Sequence, residues 1–223
     1  MKSAGGVDIH KTLQHNICRK MQTDSSRLRS FKKIFFITSN NGKYVEAKKK
    51  IKNIEQKKID YPEIQSESIG DIVRYGVRFL EKKIDKPFFI EDSGLFIESL
   101  NDFPGPFSKY VFNKVGCKGI LKLMKNEKNR NAVFKSVIGY YDGRIKLFEG
   151  VCEGRISTRM RGKKGFGYDP VFIPKNSDKT FAQMGIDEKN TYSHRGKALT
   201  KLVNFMEKQR LFLKSYGICF ANS

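Results

Sequence analysis

The sequence predicts a single α/β domain with a mixed β-sheet, and three observations support this. The 223 residues fit one such domain better than two independent ones. From Lys33 onward, short apolar runs typical of buried strands alternate with helical segments. Two longer strand candidates then follow each other across an Asp142-Gly143 turn, which predicts a hairpin in the same sheet.

The first elements follow from local patterns. The apolar run Ile34-Phe35-Phe36-Ile37 predicts a buried strand, and a lysine-rich helix is expected over 43–52. A second strand is expected over 57–61. Ser68 is a natural cap for a helix of residues 69–82.

The remaining elements are expected in the second half of the chain. They are a strand over 87–90 that ends abruptly at Glu91, two helices between 106 and 125, strands over 132–141 and 146–156, a glycine-rich basic loop over 161–169, and a final helix over 194–214.

The two ends are expected to lie outside the domain. Residues 1–30 show neither the helix nor the strand period and are rich in Ser, Thr, Gln, Lys and Arg. We interpret them as a flexible basic N-terminal extension, or as the product of a start placed too early, with Met21 or a later codon as the true beginning. The domain is expected over 31–217 and a C-terminal tail over 218–223.

Composition favours a folded protein of the cytoplasm. Hydrophobic residues make up 39% and aromatic residues 12% of the chain, which excludes wholesale disorder. No stretch approaches the roughly 18 apolar residues of a membrane span, and no signal-peptide pattern is present. The four cysteines are scattered without metal-type spacing. We therefore expect a soluble, cytoplasmic protein with reduced thiols and no membrane partner.

The net charge of +21 predicts attraction to polyanions. Two interpretations remain open, because the lysines are spread along the chain. The charge reflects either a general bias toward solvated lysines or a polyanionic partner. Nucleic-acid binding, through the extension or the body of the protein, is therefore an alternative function, although we do not expect it to be the primary one.

Four segments carry residues that scaffolding alone does not require. The first is Thr38-Ser39-Asn40-Asn41-Gly42-Lys43, between the first strand and the first helix. Small polar residues there leave backbone N–H groups at a helix N-terminus, where anions bind, and Lys43 adds a positive charge. The alternative is an ordinary strand–helix turn with an asparagine cap.

The second segment is Glu91-Asp92-Ser93-Gly94, at the expected end of a buried strand. Adjacent carboxylates at such a position are costly unless a cation or hydrogen bonds compensate for their burial. Ligands bind at this edge of α/β sheets, and carboxylates suit Mg²⁺ together with substrate phosphates. The alternative is a turn with two solvated acids.

The third segment is the loop Gly162-Lys163-Lys164-Gly165-Phe166-Gly167-Tyr168-Asp169-Pro170. Its two aromatic rings are candidates for stacking on a base, and Asp169 for accepting hydrogen bonds from a purine edge. The alternative is a hairpin loop whose aromatic rings lie in the core.

The fourth segment is Glu188-Lys189-Asn190 with Ser193-His194-Arg195-Gly196-Lys197-Ala198-Leu199. Ser193 is a natural helix cap, but the cationic residues after it occupy a first turn that the helix dipole makes unfavourable for positive charge. A broken local rule of this kind suggests that a bound anion compensates. The alternative is that His194 is a hydrogen-bonded core histidine.

These segments together resemble the inosine/xanthosine triphosphate pyrophosphatase family, over residues from about 33 to about 216, and most closely its archaeal members. No single motif is specific, but six in this order and spacing are. The motifs are Ile37-Thr38-Ser39-Asn40 with Gly42-Lys43, Tyr61-Pro62-Glu63-Ile64-Gln65, Glu91-Asp92-Ser93-Gly94-Leu95, Phe103-Pro104-Gly105-Pro106-Phe107-Ser108, Gly165-Phe166-Gly167-Tyr168-Asp169-Pro170, and the fourth segment above.

The resemblance implies a long mixed sheet flanked by helices, two lobes with a nucleotide cleft between them, and usually a homodimer. It implies Mg²⁺-dependent hydrolysis of ITP, dITP and XTP to the nucleoside monophosphate and pyrophosphate, which clears these nucleotides from the cellular pool. Mn²⁺ suits the same oxygen ligands and is a candidate substitute. A related group, the septum-inhibitor-like pyrophosphatases, acts on modified pyrimidine nucleotides, and the third and fourth segments argue against it.

The resemblance also implies roles for individual residues. Asp92 matches the catalytic carboxylate that activates water, and Glu63, Glu91 and Asp92 match the residues that position the metal. The expected substrate-binding residues are Thr38, Ser39, Asn40, Lys43, Ser93, Phe166, Gly167, Tyr168, Asp169, Lys189, Ser193, His194 and Arg195.

Overall fold

The computed structural model of the chain describes residues 33–215. The expected N-terminal extension of residues 1–30 and the tail of residues 218–223 lie outside the described residues. Within the described part of the chain, no helix combines the length and the apolar character needed to cross a membrane.

A seven-stranded mixed sheet is the centre of the fold, with the order β2-β1-β3-β5-β6-β7 and β4 paired to β3. β1 pairs in parallel with β2 and β3, and the remaining pairs are antiparallel. The strands are β1 (Ile34–Ile37), β2 (Ile54–Lys57), β3 (Phe88–Ile97), β4 (Phe103–Gly105), β5 (Asn131–Tyr141), β6 (Ile145–Ile156) and β7 (Phe172–Pro174). The prediction of an α/β fold with a mixed sheet is confirmed, whereas the two-lobe cleft stays a prediction.

Five α-helices flank the sheet in the described residues. They are α1 (Asn41–Lys50), α2 (Ile69–Leu80), α3 (Ser108–Leu123), α4 (Ile186–Tyr192) and α5 (His194–Ser215). Helix α3 is interrupted at Gly116, whose φ of 59° and ψ of −165° are not helical, so the two helices expected between 106 and 125 are confirmed as two segments. Ser68 caps α2 as expected, because its side chain accepts the Asp71 N–H.

Two strand predictions were wrong. The strand expected over 57–61 lies at Ile54–Lys57, where it pairs with β1 in register from Ile34 to Ile37. The strand expected to end at Ile90 continues to Ile97, because β5 pairs with it from Glu91↔Ile138 to Ile97↔Ala132. The partner strand satisfies the backbone of this polar stretch, so its acidic residues do not stop the strand.

The alternation of side chains along β3 determines which helix each residue faces. Phe88, Ile90 and Phe96 belong to the core cluster under α2. Phe89 belongs to the cluster with α1 and α5, and Leu95 to the cluster with α3. Adjacent residues in the middle of β3 therefore point to opposite faces of the sheet.

Candidate active site

The turn between β1 and α1 is a capped helix start. Asn40 Oδ1 accepts the Lys43 N–H at 3.1 Å, and the Asn40 N–H donates to Thr38 Oγ1 at 3.1 Å. The asparagine cap considered from sequence is therefore present. Ser39 and Asn40 are exposed, and the first turn of α1 contains no acidic residue. An exposed helix N-terminus whose first turn carries no acidic side chain is also suited to an anion, so the cap and the anion-binding interpretation are compatible.

Lys43 ties this turn to β3. Its Nζ donates to the Glu91 carbonyl oxygen at 3.0 Å and lies 3.0 Å from Glu91 Oε2. The same Nζ lies 3.8 Å from Asp92 Oδ1. The first and second segments predicted from sequence therefore meet at one positive charge.

Glu91 is a buried carboxylate with its partners already in place. Its side chain is 1% exposed, Ser136 Oγ donates to Oε1 at 2.5 Å, and Arg195 Nε lies 3.2 Å from Oε2. Burial alone would raise the pKa of Glu91, but Arg195 and Lys43 outweigh it and hold the pKa well below its usual range. Glu91 is ionised and fixed between two cations.

Asp92 has a different environment from its neighbour. Its side chain is 30% exposed, and Oδ1 accepts the Ser93 N–H at 2.8 Å. Burial raises the pKa of Asp92, Glu91 adds to the increase, and Lys43 opposes it. Asp92 is thus an accessible carboxylate of increased basicity, which suits a group that accepts a proton from water.

A second buried network joins three helices and the glycine-rich loop. Glu46 on α1 lies 2.6 Å from Lys189 Nζ on α4 and 2.6 Å from Arg195 Nη1 on α5. Lys189 Nζ also lies 2.6 Å from Asp169 Oδ2. All four residues are buried. The network fixes the third and fourth segments against α1.

Glu46 is the main residue that the sequence analysis missed. Burial would raise the pKa of Glu46, but Arg195 and Lys189 outweigh it and hold this pKa below its ordinary value, so Glu46 is ionised. The available signal was a single acid in a helix that ends in Lys48, Lys49 and Lys50. A lone acid of this kind is equally typical of a solvated helix face, and its partners lie more than 140 residues further along the chain.

The two aromatic side chains of the glycine-rich loop, Tyr168 and Phe166, have different environments. Tyr168 is buried, its hydroxyl donates to the Ser108 carbonyl at 3.3 Å, and its ring contacts Phe112 edge-on at 5.1 Å. Tyr168 is therefore an anchor in the core, as the alternative interpretation of this loop expected. The loop backbone is also held by Asp169, whose Oδ2 accepts the Phe166 N–H at 2.8 Å.

Phe166 is the half-buried aromatic ring of this loop. Its ring centroid lies 4.9 Å from Lys189 Nζ and 5.4 Å from Arg195 Cζ. The ring also lies against Gly42, where an added Cβ would collide with it. Phe166 therefore connects the turn at the start of α1 with the buried cations, at a position where a base could stack.

The start of α5 holds three of the expected substrate-binding residues, Ser193, His194 and Arg195. Ser193 Oγ accepts the Gly196 N–H at 3.0 Å, which confirms the predicted cap. The His194 ring stacks on Phe134 at 4.5 Å and 9°, and burial, with Arg195 nearby, holds the pKa of His194 well below its ordinary value. Arg195 Nη2 donates to Ser93 Oγ at 3.1 Å. His194 is thus a buried, neutral imidazole that packs in the core, but its Nδ1 has no hydrogen-bond partner within residues 33–215, so the alternative of a hydrogen-bonded core histidine is met only in its packing.

The predicted metal ligands are only partly brought together. Glu63 is exposed and close enough to Asp92 to raise the pKa of Asp92 further. Within residues 33–215, no group of three or more His, Cys, Asp or Glu side chains has the arrangement of a metal site. Two carboxylates still fit a hard cation such as Mg²⁺, which completes its coordination with water and substrate phosphates.

The chain is similar to known proteins over most of its length. Residues 34–205 match the family model described as Ham1 family. Proteins named dITP/XTP pyrophosphatase from Pyrococcus horikoshii and Thermococcus kodakarensis are 54% and 47% identical over 180 residues. These alignments cover 78% and 79% of this chain and 97% and 98% of the relatives.

Solved structures with the same fold include two bacterial proteins. The Ham1 protein of Staphylococcus aureus is 28% identical with a TM-score of 0.69, over 80% of this chain and 100% of that one. A HAM1 protein of Coxiella burnetii is 29% identical with a TM-score of 0.68, over 79% of this chain and 98% of that one.

Proposed function

This chain belongs to the Ham1 family, and we infer from its membership that it is a pyrophosphatase of deaminated purine nucleoside triphosphates. Its archaeal relatives, which it matches over nearly their whole length, are named for dITP and XTP. The observation that carries the inference within the structure is the convergence at Lys43, which joins an exposed helix start to Glu91 and Asp92.

We propose that the β1–α1 turn binds the triphosphate. Phosphoryl displacement depends mainly on positioning and charge neutralisation. Backbone N–H groups at the start of α1, with Thr38, Ser39 and Asn40 beside them, provide hydrogen-bond donors for phosphate oxygens. Lys43 provides a positive charge that Glu91 holds in place.

We propose that Asp92 activates the attacking water. The oxygen of the water would attack the α-phosphorus while the water donates a proton to the Asp92 carboxylate. The bond between the α-phosphorus and the bridging oxygen would break, and pyrophosphate would leave. Asp92 and Glu63 would hold a divalent cation, Mg²⁺ or Mn²⁺, which would supply charge neutralisation at the phosphate oxygens. Glu91 Oε1 already accepts a hydrogen bond from Ser136, and Oε2 lies beside Lys43 and Arg195. We therefore propose that Glu91 positions the Lys43 and Arg195 side chains rather than binding the metal.

We propose that Phe166 stacks on the purine, on a loop held by Gly167, Tyr168 and Asp169. Hypoxanthine and xanthine present O6 as an acceptor, where adenine presents an N6 donor. Cationic donors from Lys189 and Arg195 beside Phe166 would pair with O6 and be left facing a donor in adenine. A site whose donors match the O6 acceptor and not the N6 donor of adenine discriminates between these substrates.

We also propose that the enzyme acts as a homodimer in the cytoplasm. The dimer follows from the family resemblance. Cys117 and Cys152 are free thiols in the described structure, which is compatible with a reducing compartment.

The proposed function is tested by pyrophosphate release from ITP, dITP, XTP, GTP, ATP and a modified pyrimidine triphosphate, each with Mg²⁺, with Mn²⁺ and with EDTA. We expect metal-dependent release from the deaminated purine nucleotides well above that from GTP and ATP. Release confined to the pyrimidine nucleotide would contradict the substrate assignment, and release in EDTA would contradict the metal dependence.

A further inference from the structure

The proposed catalysis does not use one of the motifs noted in the sequence. Phe103-Pro104-Gly105-Pro106-Phe107-Ser108 covers β4, the turn after it and the first residue of α3. Its polar side chain belongs to Ser108, which is 7% exposed. Because a buried hydroxyl requires hydrogen-bond partners, the partners of Ser108 show what this motif holds in place.

The edge of β3 that faces β1 and β4 is not paired along its whole length. β1 pairs with β3 up to Phe89, and β4 pairs with it from Leu95 onward. At residues 90–94, termed the β3 gap, no strand of the described part of the chain pairs with this edge. The other edge is paired with β5 throughout. Asp92 lies in the β3 gap, so the strand beside the proposed active site is supported from one edge only by β5.

Side chains take the place of a neighbouring strand along the β3 gap. Alternate residues of a strand direct their backbone groups to the same edge, so three residues are compared here, Glu91, Ser93 and Leu95. The Glu91 carbonyl accepts a hydrogen bond from Lys43 Nζ at 3.0 Å. The Ser93 N–H donates to Asp92 Oδ1 at 2.8 Å. The Leu95 N–H donates to Ser108 Oγ at 2.7 Å, so Ser108 closes this row of side-chain bonds.

The Ser108 hydroxyl lies between β3 and β4 at the border of the β3 gap. It accepts the Leu95 N–H and donates to the Gly105 carbonyl, at 2.7 Å in each case. Leu95 and Gly105 are the pair at which the register of the two strands ends. The two backbones are very close there, because a Cβ at Gly94 would collide with the Gly105 carbonyl oxygen. The hydroxyl therefore bridges the two strands at the residue pair next to the gap.

We propose that Ser108 is a positioning residue for Asp92, an inference that rests on the proposed function. Its hydroxyl fixes β3 at Leu95, three residues after Asp92 on the same strand. Without the hydroxyl, the Leu95 N–H and the Gly105 carbonyl would each lose a partner in a buried region. The strand edge would then shift or admit water to satisfy them. A shift at this end of the β3 gap would move the Asp92 carboxylate relative to the bound phosphates.

A second contact of Ser108 defines the alternative to this role. Its backbone carbonyl accepts the Tyr168 hydroxyl at 3.3 Å, so the first residue of α3 also touches the glycine-rich loop. If Ser108 acted through this loop, its substitution would weaken binding of the substrate rather than slow the chemical step. The two contacts are separable, because alanine at position 108 keeps the backbone carbonyl and removes only the hydroxyl.

The test compares Ser108→Ala with Ser108→Thr, which keeps a hydroxyl, and with Ser157→Ala as the matched control. Ser157 is also buried, and its hydroxyl donates to the Arg159 carbonyl at 2.6 Å, in the segment after β6 and outside the β3 gap. Pyrophosphate release from dITP with Mg²⁺ gives kcat and KM for the full chain and each variant. Urea unfolding gives the stability of the same proteins.

We expect kcat of Ser108→Ala to fall by about 10- to 100-fold, because a small misplacement of a reacting group is enough for such a loss. Its KM for dITP should stay near the wild-type value, since the groups proposed to bind the base and the phosphates are unchanged. Ser108→Thr should recover most of the lost kcat. Both alanine variants should have a lower urea midpoint, as the loss of a buried hydrogen bond predicts, but Ser157→Ala should keep the wild-type kcat.

Several results would overturn the proposal. A wild-type kcat in Ser108→Ala would show that Asp92 does not depend on the hydroxyl. A higher KM with unchanged kcat would assign Ser108 to the glycine-rich loop. Equal falls of kcat in Ser108→Ala and Ser157→Ala would show a general effect of lost stability. These outcomes all require a wild type that releases pyrophosphate from dITP, whereas a wild type without release would contradict the proposed function itself and this inference with it.

Discussion

Glu91 and Asp92 are adjacent carboxylates with opposite behaviour, and the alternation of β3 explains the difference. Glu91 faces the side of the sheet that carries Arg195, where two cations keep it ionised. Asp92 faces the other side, remains accessible, and within residues 33–215 pairs with one cation, Lys43, at 3.8 Å. One residue therefore organises charge, and the other is available for chemistry.

Asp92→Asn tests this division of roles. We expect pyrophosphate release to fall by about 10² to 10⁴-fold, the usual contribution of a general base. The fold should be retained, because burial already disfavours the charged form of Asp92, as its raised pKa shows, and the substitution removes that charge. Activity assays together with thermal unfolding separate the two effects. Asp85→Asn, at an exposed position before β3, is the matched control and should keep full activity.

Glu46→Gln tests the buried network. Lys189 and Arg195 would share a neutral amide in place of a carboxylate, and removing one partner from a buried charge cluster costs about 3–5 kcal/mol. We expect the free energy of unfolding, measured with urea, to fall by about that amount. The KM for dITP should rise, because both cations lose their orientation beside Phe166.

The control for this prediction is Glu55→Gln on β2. Glu55 also pairs with two lysines, Lys33 and Lys57, but on the protein surface, where ion pairs contribute little. Its urea midpoint should equal that of the wild type. A loss of stability in Glu55→Gln as large as in Glu46→Gln would show that burial is not the cause.

At the scale of elements, the contact between β6 and the start of α5 positions the residues of that helix that we propose to bind the substrate. A Cβ at Gly150 would collide with the His194 carbonyl and lie 2.6 Å from the Ala198 backbone nitrogen. The helix start therefore lies directly on the strand, at a position where only glycine leaves room. Ser193 then fixes the first turn by accepting the Gly196 N–H.

Gly150→Ala should displace the start of α5 from the sheet. Because backbone atoms rather than a flexible side chain are in the way, we expect a loss of about 1–3 kcal/mol in stability, the usual cost of overpacking. Activity should fall further than stability predicts, since His194 and Arg195 move with the helix. Urea unfolding and the kcat/KM for dITP measure the two effects.

Gly185→Ala is the matched control, because no atom lies within 4 Å of a Cβ at this position. Its stability and kcat/KM should stay close to those of the wild type. If Gly150→Ala behaves like this control, the close contact between β6 and α5 does not position the site.

The sequence analysis succeeded where local patterns determine the structure. The apolar run of β1, the Asp142-Gly143 hairpin and the Ser193 cap were all identified from neighbouring residues. It was wrong about the end of β3, because pairing with β5 maintains a strand that its own polar residues do not favour. It missed Glu46, because the partners that define its role lie on α4 and α5.

At the scale of the whole molecule, the buried charges nearly cancel although the chain carries +21. Glu46, Glu91 and Asp169 are buried opposite Lys189 and Arg195, with the part-buried Lys43 beside them. Within residues 33–215, the excess positive charge therefore lies outside this buried cluster. His194 is a fourth basic residue in this region. Burying it in its charged form would disturb the balance, and its environment keeps it neutral.

The neutral state of His194 makes the stability of the whole protein sensitive to acid. Burial is the main cause, because it disfavours the charged imidazolium. The positive charges of Arg195, Lys189 and Lys43 also disfavour protonation, and the negative charge of Glu91 only partly offsets them. The pKa of His194 is well below its ordinary value in the folded protein and about 6.5 in the unfolded chain. Below about pH 6.5 the unfolded state therefore binds a proton that the folded state does not, and stability falls as pH falls.

We expect this contribution to approach about 1.4 kcal/mol per pH unit below pH 6.5, and to be absent above it. Glu46 and Glu91, whose pKa values are lowered by folding, lose their stabilising effect only below about pH 4.5. Burial raises the pKa values of Asp92, Asp142 and Asp169, so these groups change stability in the opposite direction as pH falls, and a comparison with a variant that lacks His194 separates the histidine effect from theirs. The measurement compares urea unfolding of the wild type and His194→Gln between about pH 5 and 6.5. The stability difference between them should change with pH at the stated slope, whereas a constant difference would mean that His194 titrates in the folded protein as it does in the unfolded chain.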